Sequence, residues 1–126
     1  MPETITPKLT AIRGATTLDA DTEADMTKQV CQLLGTLAEK NQIQPTDVVN
    51  VIFSLTKDIH SCSPAKVARE AFGWETVPMF CTQEPDIQDY PGYCIRVLIQ
   101  WYTSQRPEDI HHVYLGNTKT LRPDLS

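Results

Sequence analysis

The sequence predicts a mixed β-sheet with helices packed on one of its faces, a fold of the α+β or α/β class. The chain has 126 residues, of which 40% are hydrophobic and 21% charged, values typical of a soluble globular domain with one core. Its predicted elements follow the order β-α-β-α-β-β-β, which favours a mixed sheet. No repeat or linker divides them, so residues 1–126 are predicted to form one domain. Residues 1–8 would be an extension before the first strand and residues 121–126 a C-terminal tail.

The first half of the chain contains two predicted strands and the clearest helix. The apolar run at 9–13, which ends at Gly14, predicts the first strand. A helix follows within residues 19–41, where Asp21 or Thr22 can cap it and acidic residues fill its first turn. Its apolar residues recur on one face, namely Met26, Val30, Leu33, Leu34 and Leu37. After a turn signal in QPTD, β-branched and apolar residues at 48–55 predict the second strand.

The second half contains a short helix and three predicted strands. Ser63 and Pro64 are the residue types of an N-cap and a first helical position, and Gly73 suits a helix end. Residues 64–72 therefore predict a helix. The remaining predicted elements are strands at 76–83, 93–103 and 111–115, and a helical turn in RPEDI at 106–110.

Charge, hydropathy and cysteine content limit the classes of function. A net charge of −5 argues against nucleic acid as the main partner, because phosphate binding usually shows as a basic excess. No apolar run reaches the roughly 18 residues of a membrane span, and residues 1–10 lack the basic start and apolar core of a secretory signal. The four cysteines show no close pairing such as C-x-x-C. We therefore expect reduced thiols in a cytoplasmic protein that binds neither nucleic acid nor membrane.

No sequence motif indicates a cofactor, a metal or a covalent mechanism. The chain has no glycine-rich phosphate-binding motif and no G-x-S-x-G nucleophile elbow. Its histidines and cysteines match no usual zinc-ligand spacing. We expect no cofactor and no metal, and we expect one of the adjacent His111 and His112 to point inward and the other to solvent.

The segment GYCIRVLIQWY at 92–102 places an arginine inside an apolar strand. Arg96 cannot lose its proton, so among such neighbours it requires anionic or strongly polar partners. The partner is either a carboxylate of the protein or a bound ligand. Glu84, which closes CTQE, is correspondingly either a carboxylate that pairs with such an arginine or an acceptor for a ligand.

Other cations accompany Arg96 along the chain. Arg13 ends a predicted strand, Arg122 follows an apolar stretch, and Lys66 and Arg69 share a helix at i and i+3 and so face roughly the same way. Taken singly, each is explained by pairing with one of the sixteen acidic residues or by contact with water. Composition alone thus predicts a pocket for a small anionic molecule and nothing more specific.

Six sequence blocks resemble the small trimeric monofunctional bacterial chorismate mutases, the α/β class that is unrelated to the all-helical chorismate mutases. They are IRGATT (12–17), PAKVARE (64–70), VPMFCTQE (77–84), CIRV (94–97), HVYL (112–115) and LRPDLS (121–126). Each block alone is weak, whereas six in order from residue 9 to the C-terminus are specific. The resemblance implies a homotrimer with a barrel-like core of packed sheets and active sites at the subunit clefts. It also implies the conversion of chorismate to prephenate, a [3,3]-sigmatropic Claisen rearrangement in the shikimate route to phenylalanine and tyrosine.

The resemblance further implies a role for each matching side chain. Arg96 would donate to the ether oxygen whose bond breaks and to the enolpyruvyl carboxylate, which Arg13 and Tyr114 would also hold. Glu84 would accept from the ring hydroxyl, with Cys81 beside it. The other implied positions surround the ring carboxylate, line the cleft or close it, some from the neighbouring subunit: Ala65, Lys66, Arg69, Phe80, Leu121 and Arg122.

Two positions depart from the family pattern. Ser63 stands where the family has an aromatic residue before PAK, and Phe80 replaces a small polar residue before Cys81. Neither departure removes a charged group, so we expect activity with altered substrate affinity.

Two rival functions are a non-catalytic trimeric domain that binds a small carboxylate metabolite, and a different lyase or deaminase on a similar scaffold. The joint presence of Arg13, Glu84, Arg96 and Tyr114 favours the mutase. A protein that only binds the anion has no need of a carboxylate opposite the arginines.

Overall fold

The structure, a computed structural model, describes residues 6–119, 121 and 122 and contains a five-stranded mixed sheet with two α-helices. The helices and strands are β1 (Lys8–Thr17), α1 (Glu23–Asn41), β2 (Val48–Leu55), α2 (Pro64–Glu70), β3 (Met79–Gln83), β4 (Cys94–Thr103) and β5 (Val113–Tyr114). Short 3₁₀ turns lie at Pro45–Asp47, Pro107–Asp109 and Gly116–Thr118. The predicted order of elements and the mixed sheet are confirmed. Neither helix combines the length and the apolar content that a membrane span requires.

Strand β4 lies at the centre of the sheet, whose order is β3-β2-β4-β1-β5. It is antiparallel to β1 and β2, whereas the edge strands β3 and β5 run parallel to β2 and β1. Val97 of β4 faces Gly14 of β1 and Phe53 of β2 in the register. Since side chains alternate along each strand, this register collects alternate residues of three strands on one face.

Helix α1 packs on that face of the sheet through its apolar side, as predicted from the sequence. Its apolar residues Met26, Val30, Leu33, Leu34 and Leu37 are all 0% exposed and form one core cluster with the inner residues of the strands. Thr22 is the N-cap, and its Oγ1 accepts from the Asp25 backbone N–H at 3.1 Å. Asp21, the other candidate cap, instead accepts from the backbone N–H groups of His60 and Ser61 and so ties α1 to the loop before α2.

Gly14 does not end β1, contrary to the prediction, because the strand continues to Thr17 and begins at Lys8. A Cβ added to Gly14 would lie 2.9 Å from Leu37 Cδ1 and 3.2 Å from Leu33 Cδ1. The glycine is therefore a point of close approach between β1 and α1. Residue 14 is a glycine because the helix packs closely on the strand at this point. From the sequence alone, the glycine looked like the end of the strand.

Three other predicted boundaries also shift. Helix α2 starts as predicted, with Ser63 Oγ accepting from the Ala65 N–H, but it ends before the positive-φ Gly73. Strand β3 starts after Pro78, whose missing N–H cannot join the ladder although its carbonyl accepts from the Val51 N–H. Strand β5 contains two residues where five were predicted.

The opposite face of the sheet presents exposed apolar side chains. Leu9 is paired with Tyr102, and Ile52 with Phe80, across neighbouring strands. Their exposures are 52%, 50%, 37% and 77% respectively. Large apolar side chains exposed on one face of a sheet favour an interaction site there. We call this face of the sheet the open face.

Candidate active site

A cavity of about 240 Å³ opens on the open face, where β1, β2, β4, β5 and the end of β3 meet. Its polar lining comes from Arg13, Ser54, Glu84, Arg96 and Tyr114. The structure thus brings together the four side chains for which the sequence predicts catalytic roles.

Arg96 reaches the cavity because small residues flank it in the sheet. Its register partners are Ala15 on β1 and Ser54 on β2, which leave room for a guanidinium above the strands. The side chain remains 33% exposed, and its Nη1 donates to Glu84 Oε1 at 3.1 Å. Arg96 therefore has a protein carboxylate as partner and also faces the cavity. This bond uses one of the five N–H donors of the guanidinium.

Glu84 is the residue that follows β3 and is fixed by its backbone as well as by its side chain. Its N–H donates to the Leu55 carbonyl at 2.7 Å, which extends the pairing of β3 with β2 by one residue. The side chain is 9% exposed. A carboxylate buried to this extent is stable when it is paired with a cation, so Glu84 and Arg96 stabilise each other's position.

Arg13 and Tyr114 enter the cavity from β1 and β5. Arg13 faces Leu98 in the register and is therefore a diagonal neighbour of Arg96 on the same face, at roughly 7–8 Å between Cα atoms for such pairs. Tyr114 is paired with Ala15 and is 5% exposed. The parallel pairing of β5 with β1 is what places the phenol beside the two arginines.

The two adjacent histidines differ in environment, as predicted. His111 is exposed and His112 is partly buried. Nδ1 of His112 accepts from the backbone N–H of Arg13 at 3.1 Å. Burial, together with the positive charges of Arg13 and Arg122, lowers the pKa of His112 from its ordinary value of 6.5.

Five further predicted positions lie elsewhere on the chain, on α2 and β3. We call them the α2–β3 group: Ala65, Lys66, Arg69, Phe80 and Cys81. Nζ of Lys66 lies 3.9 Å from Glu23 Oε1, and Cys81 Sγ lies 3.4 Å from Ser63 Oγ. Phe80 lines a separate cavity, of about 250 Å³. Within one chain, none of this group lines the Arg96 cavity.

The last two predicted positions stand at the end of the described chain. Leu121 and Arg122 are both partly buried, and the Leu121 N–H donates to the Thr118 carbonyl at 3.0 Å. The charge of Arg122 acts on His112, which places the guanidinium near the base of β5. Residues 123–126 of the predicted tail lie outside the described residues.

The sequence interpretation missed three open-face residues that line the cavity: Ile52, Ser54 and Leu98. They could have been predicted, because successive side chains of a strand point to opposite faces and each of the three is next in sequence to a core residue. Ile52 and Ser54 flank Phe53, which is 0% exposed, and Leu98 precedes Ile99, also 0% exposed.

A mixed sheet that carries two arginines, a tyrosine and a buried carboxylate around one cavity defines a protein equipped to bind a small anion. Comparison with known proteins identifies the family. The family profile described as chorismate mutase type I matches residues 9–125. The chain belongs to the chorismate mutase type I family, as the six sequence blocks predicted.

Individual relatives match over nearly the whole chain. The chorismate mutase AroH of Bacillus subtilis (strain 168) is 44% identical over 115 residues, which are 91% of this chain and 91% of that protein. The chorismate mutase AroH of Thermus thermophilus is 36% identical over 115 residues, covering 90% of this chain and 93% of that protein. A solved chorismate mutase from Clostridium thermocellum superposes with a TM-score of 0.84 at 37% identity and covers 88% of this chain and 98% of that one.

Proposed function

We propose that the cavity around Arg96 is the active site in which this chorismate mutase converts chorismate to prephenate. The activity itself follows from the family to which the chain belongs. The observation that carries the proposal for the site is the convergence of Arg13, Glu84, Arg96 and Tyr114 on one cavity. These groups supply cationic and hydroxyl donors and one carboxylate acceptor, which suit a substrate with two carboxylates and a hydroxyl.

Arg96 has the central role in the proposed mechanism. In the Claisen rearrangement a C–O bond of the ether breaks while a C–C bond forms, and negative charge grows on the ether oxygen. A cation already in place stabilises that charge without reorganisation during the reaction. The bond from Nη1 to Glu84 at 3.1 Å holds the guanidinium before the substrate arrives, and its other N–H groups provide donors for the ether oxygen and the enolpyruvyl carboxylate.

Arg13, Tyr114 and Glu84 fix the conformation of the substrate. Arg13 and Tyr114 donate to the enolpyruvyl carboxylate, and Glu84 accepts from the ring hydroxyl. Holding both ends of a flexible dianion in the folded conformation removes much of the entropic barrier to an intramolecular reaction. No proton transfer and no covalent intermediate are required.

We also propose that the active enzyme is a homotrimer. The open face presents the apolar pairs Leu9–Tyr102 and Ile52–Phe80, whose burial against other copies removes apolar surface from water. The α2–β3 group lies outside the Arg96 cavity of its own chain. In the trimer, this group of one chain completes the cavity of the next, with Lys66 and Arg69 near the ring carboxylate and Phe80 and Cys81 along the wall.

We further propose that the protein is cytoplasmic and consists of one catalytic domain. The four cysteines, which all lie within the described residues, are free thiols, in keeping with a reducing cytoplasm. We infer a single catalytic domain, since β1 and β5, the first and last strands among the described residues, both contribute to the cavity.

The activity is tested by following the loss of chorismate absorbance in the ultraviolet and identifying prephenate as the product. A non-catalytic carboxylate-binding domain would bind chorismate and leave it unchanged. A lyase or deaminase would release a different product. Either result would overturn the proposed reaction.

The shared site is tested by mixing two inactive variants. Arg96→Ala chains lack the cation of the cavity, and Arg69→Ala chains lack one of the α2–β3 group. If each site uses two chains, refolding the variants together in equal amounts should restore about a quarter of the sites. Each variant refolded with itself is the control. Activity that stays at the level of the controls, or full activity in a predominantly monomeric enzyme by light scattering, would contradict the shared trimeric site.

A further inference from the structure

We infer that His112 is a positioning residue for Arg13, and that its imidazole has to be neutral for chorismate to bind tightly. The inference rests on the proposed role of Arg13 in holding a substrate carboxylate. The observation behind it is the bond from the Arg13 backbone N–H to His112 Nδ1, 3.1 Å long, at the edge of the cavity.

The imidazole replaces a strand acceptor that the short β5 does not supply. Strand β5 pairs with β1 only through Gly14 with Val113 and Ala15 with Tyr114. The N–H of Arg13 lies just before this ladder, and a backbone donor inside a fold needs a partner. The ring nitrogen of His112 is that partner, so the pairing of β1 is extended by a side chain.

The backbone just before His112 is held by a buried side chain, that of Asn41, which bonds both backbone groups of His111. Asn41, the last residue of α1, is 0% exposed. Its Oδ1 accepts from the His111 N–H at 2.7 Å, and its Nδ2 donates to the His111 carbonyl at 2.9 Å. The backbone that leads into His112 is therefore fixed to the helix.

The bond requires one protonation state of the ring. Nδ1 accepts only when it carries no proton, so the neutral ring has its hydrogen on Nε2. Among the described residues, the charged groups that act on His112 are Arg13 of β1 and Arg122. On this side α1 contributes Leu33, Leu37 and Asn41 to the contacts with Gly14 and His111, all uncharged.

Protonation would therefore disturb the position of Arg13 in two ways. It would remove the acceptor of the Arg13 N–H, and the new positive charge would repel the guanidinium of Arg13. Burial and the charges of Arg13 and Arg122 lower the pKa of His112, which keeps the ring neutral at physiological pH. On the acid side of its titration, Arg13 loses its support, and the affinity for the substrate carboxylate falls.

A matched pair of amide substitutions separates this role from simple packing. In His112→Asn the side-chain oxygen can take the place of Nδ1 and cannot be protonated, whereas in His112→Gln the amide lies near the place of Nε2. At pH 7.5 we expect His112→Asn to keep kcat/KM within about threefold of wild type. His112→Gln should lose roughly five- to tenfold, mainly through KM, the equivalent of one hydrogen bond. His111→Gln, on the exposed neighbour, is the control and should be unchanged.

The decisive experiment is the pH dependence of kcat/KM for wild type relative to His112→Asn, from pH 5 to pH 8. The ratio cancels the titration of the substrate and of every other group. We expect it to be constant above pH 7 and to fall several-fold on the acid side, with the pKa that ¹⁵N NMR measures for His112 in the free enzyme. A flat ratio across a measured His112 titration would overturn the inference.

The NMR spectrum of wild type also tests the hydrogen bond without any assay of activity. The ring should show the Nε2–H tautomer with an accepting Nδ1, and a proton on Nδ1 at neutral pH would refute the inference. If the spectrum is as expected but chorismate is not converted at any pH, the proposed function fails and the structural role of His112 stands. If chorismate is converted and the tautomer is the other one, only the inference fails.

Discussion

One face of the sheet forms the core and the other carries the candidate site, and strand β4 contributes side chains to both. Ile95, Val97, Ile99 and Trp101 point to the helices and are 0–3% exposed. Arg96 points the other way and is 33% exposed. The helix-covered face is completed by the chain's own residues and stabilises the fold. The open face carries the candidate site and exposed apolar side chains, which we propose are covered by other copies of the chain. Because side chains alternate along β4, one strand supplies core residues to one face and a residue of the candidate site to the other.

The largest difference between the faces should appear when a phenylalanine on each face is replaced by alanine. Phe53 is 0% exposed in the core, and Phe80 is 77% exposed on the open face. Phe53→Ala should lower the free energy of unfolding by about 3–5 kcal/mol, because it leaves a cavity in a packed core. Phe80→Ala should scarcely change the unfolding of the separated chain but should weaken assembly. Denaturant unfolding and light scattering across a dilution series measure the two effects. Equal destabilisation by both variants at a concentration where the chains are dissociated would contradict the comparison.

The helix-covered face was largely predictable because its signals are local. The five apolar residues on one side of α1, Thr22 as a possible cap, and the strand 48–55 all follow from periodicity and residue type within a few turns or residues. Gly14 was misread because its reason is tertiary, the approach of Leu33 and Leu37.

The open face was less predictable because its geometry depends on pairings distant in sequence. The sequence showed that Arg96 requires an anionic partner, but it left open whether Glu84 pairs with such an arginine or accepts from a ligand. The register of β2 with β3 and β4 brings Glu84 to Arg96. Strand β5 has only two residues, so no periodicity reveals that Tyr114 and His112 meet β1. The α2–β3 group cannot be placed at the site from one chain at all, since on our proposal it acts in the next chain.

On the open face itself, the largest effect should come from Arg96. Arg96→Lys keeps the charge but loses the planar group that can meet the ether oxygen and a carboxylate together while it binds Glu84. We expect turnover to fall by roughly 10² to 10³, as when one oxyanion donor is removed. Arg106→Lys is the control, because Arg106 is 75% exposed and 3.9 Å from Glu108, away from the cavity. Steady-state kinetics with chorismate measure both. Wild-type turnover in Arg96→Lys would refute the proposed role.

A smaller effect on stability should distinguish the buried Cys94 from the exposed Cys81. Burial raises the pKa of the Cys94 thiol from 9.0 to about 11. Between these values the folded chain retains a proton that the unfolded chain has lost, so stability falls as the pH rises through this window. The loss attributable to Cys94 amounts to about 2–3 kcal/mol by pH 11.

The test compares wild type, Cys94→Ser and Cys81→Ser in urea unfolding between pH 8 and pH 10.5. Wild type and Cys81→Ser should lose stability together as the pH rises. Cys94→Ser, less stable at pH 8, should lose less over the same range, so that its curve approaches that of wild type. Parallel curves for all three proteins would show that the thiol at 94 titrates as it does in the unfolded chain.

The smallest expected effect is the pH dependence of turnover at saturating chorismate. If the open face works by holding the substrate and stabilising charge on the ether oxygen, no group has to gain or lose a proton during the reaction. Arginines remain charged, and the substrate carboxylates are already ionised. Turnover should then change little between about pH 6 and pH 8, the range in which an unperturbed histidine titrates. A general acid–base enzyme would instead show limbs at the pKa values of its catalytic pair.

A turnover that changes little with pH is compatible with the proposed role of His112. That role affects the affinity for chorismate, which does not limit the rate once the enzyme is saturated. The two quantities therefore separate the two ideas: kcat should be flat while kcat/KM carries the acid limb. Turnover measured across the range in ordinary and in heavy water gives the decisive comparison. A steep limb in kcat near neutrality, or a large solvent isotope effect, would mean that His112 or another group transfers a proton. The open face would then be a site of acid–base chemistry, and the assignment of Arg96 as its central group would have to be abandoned.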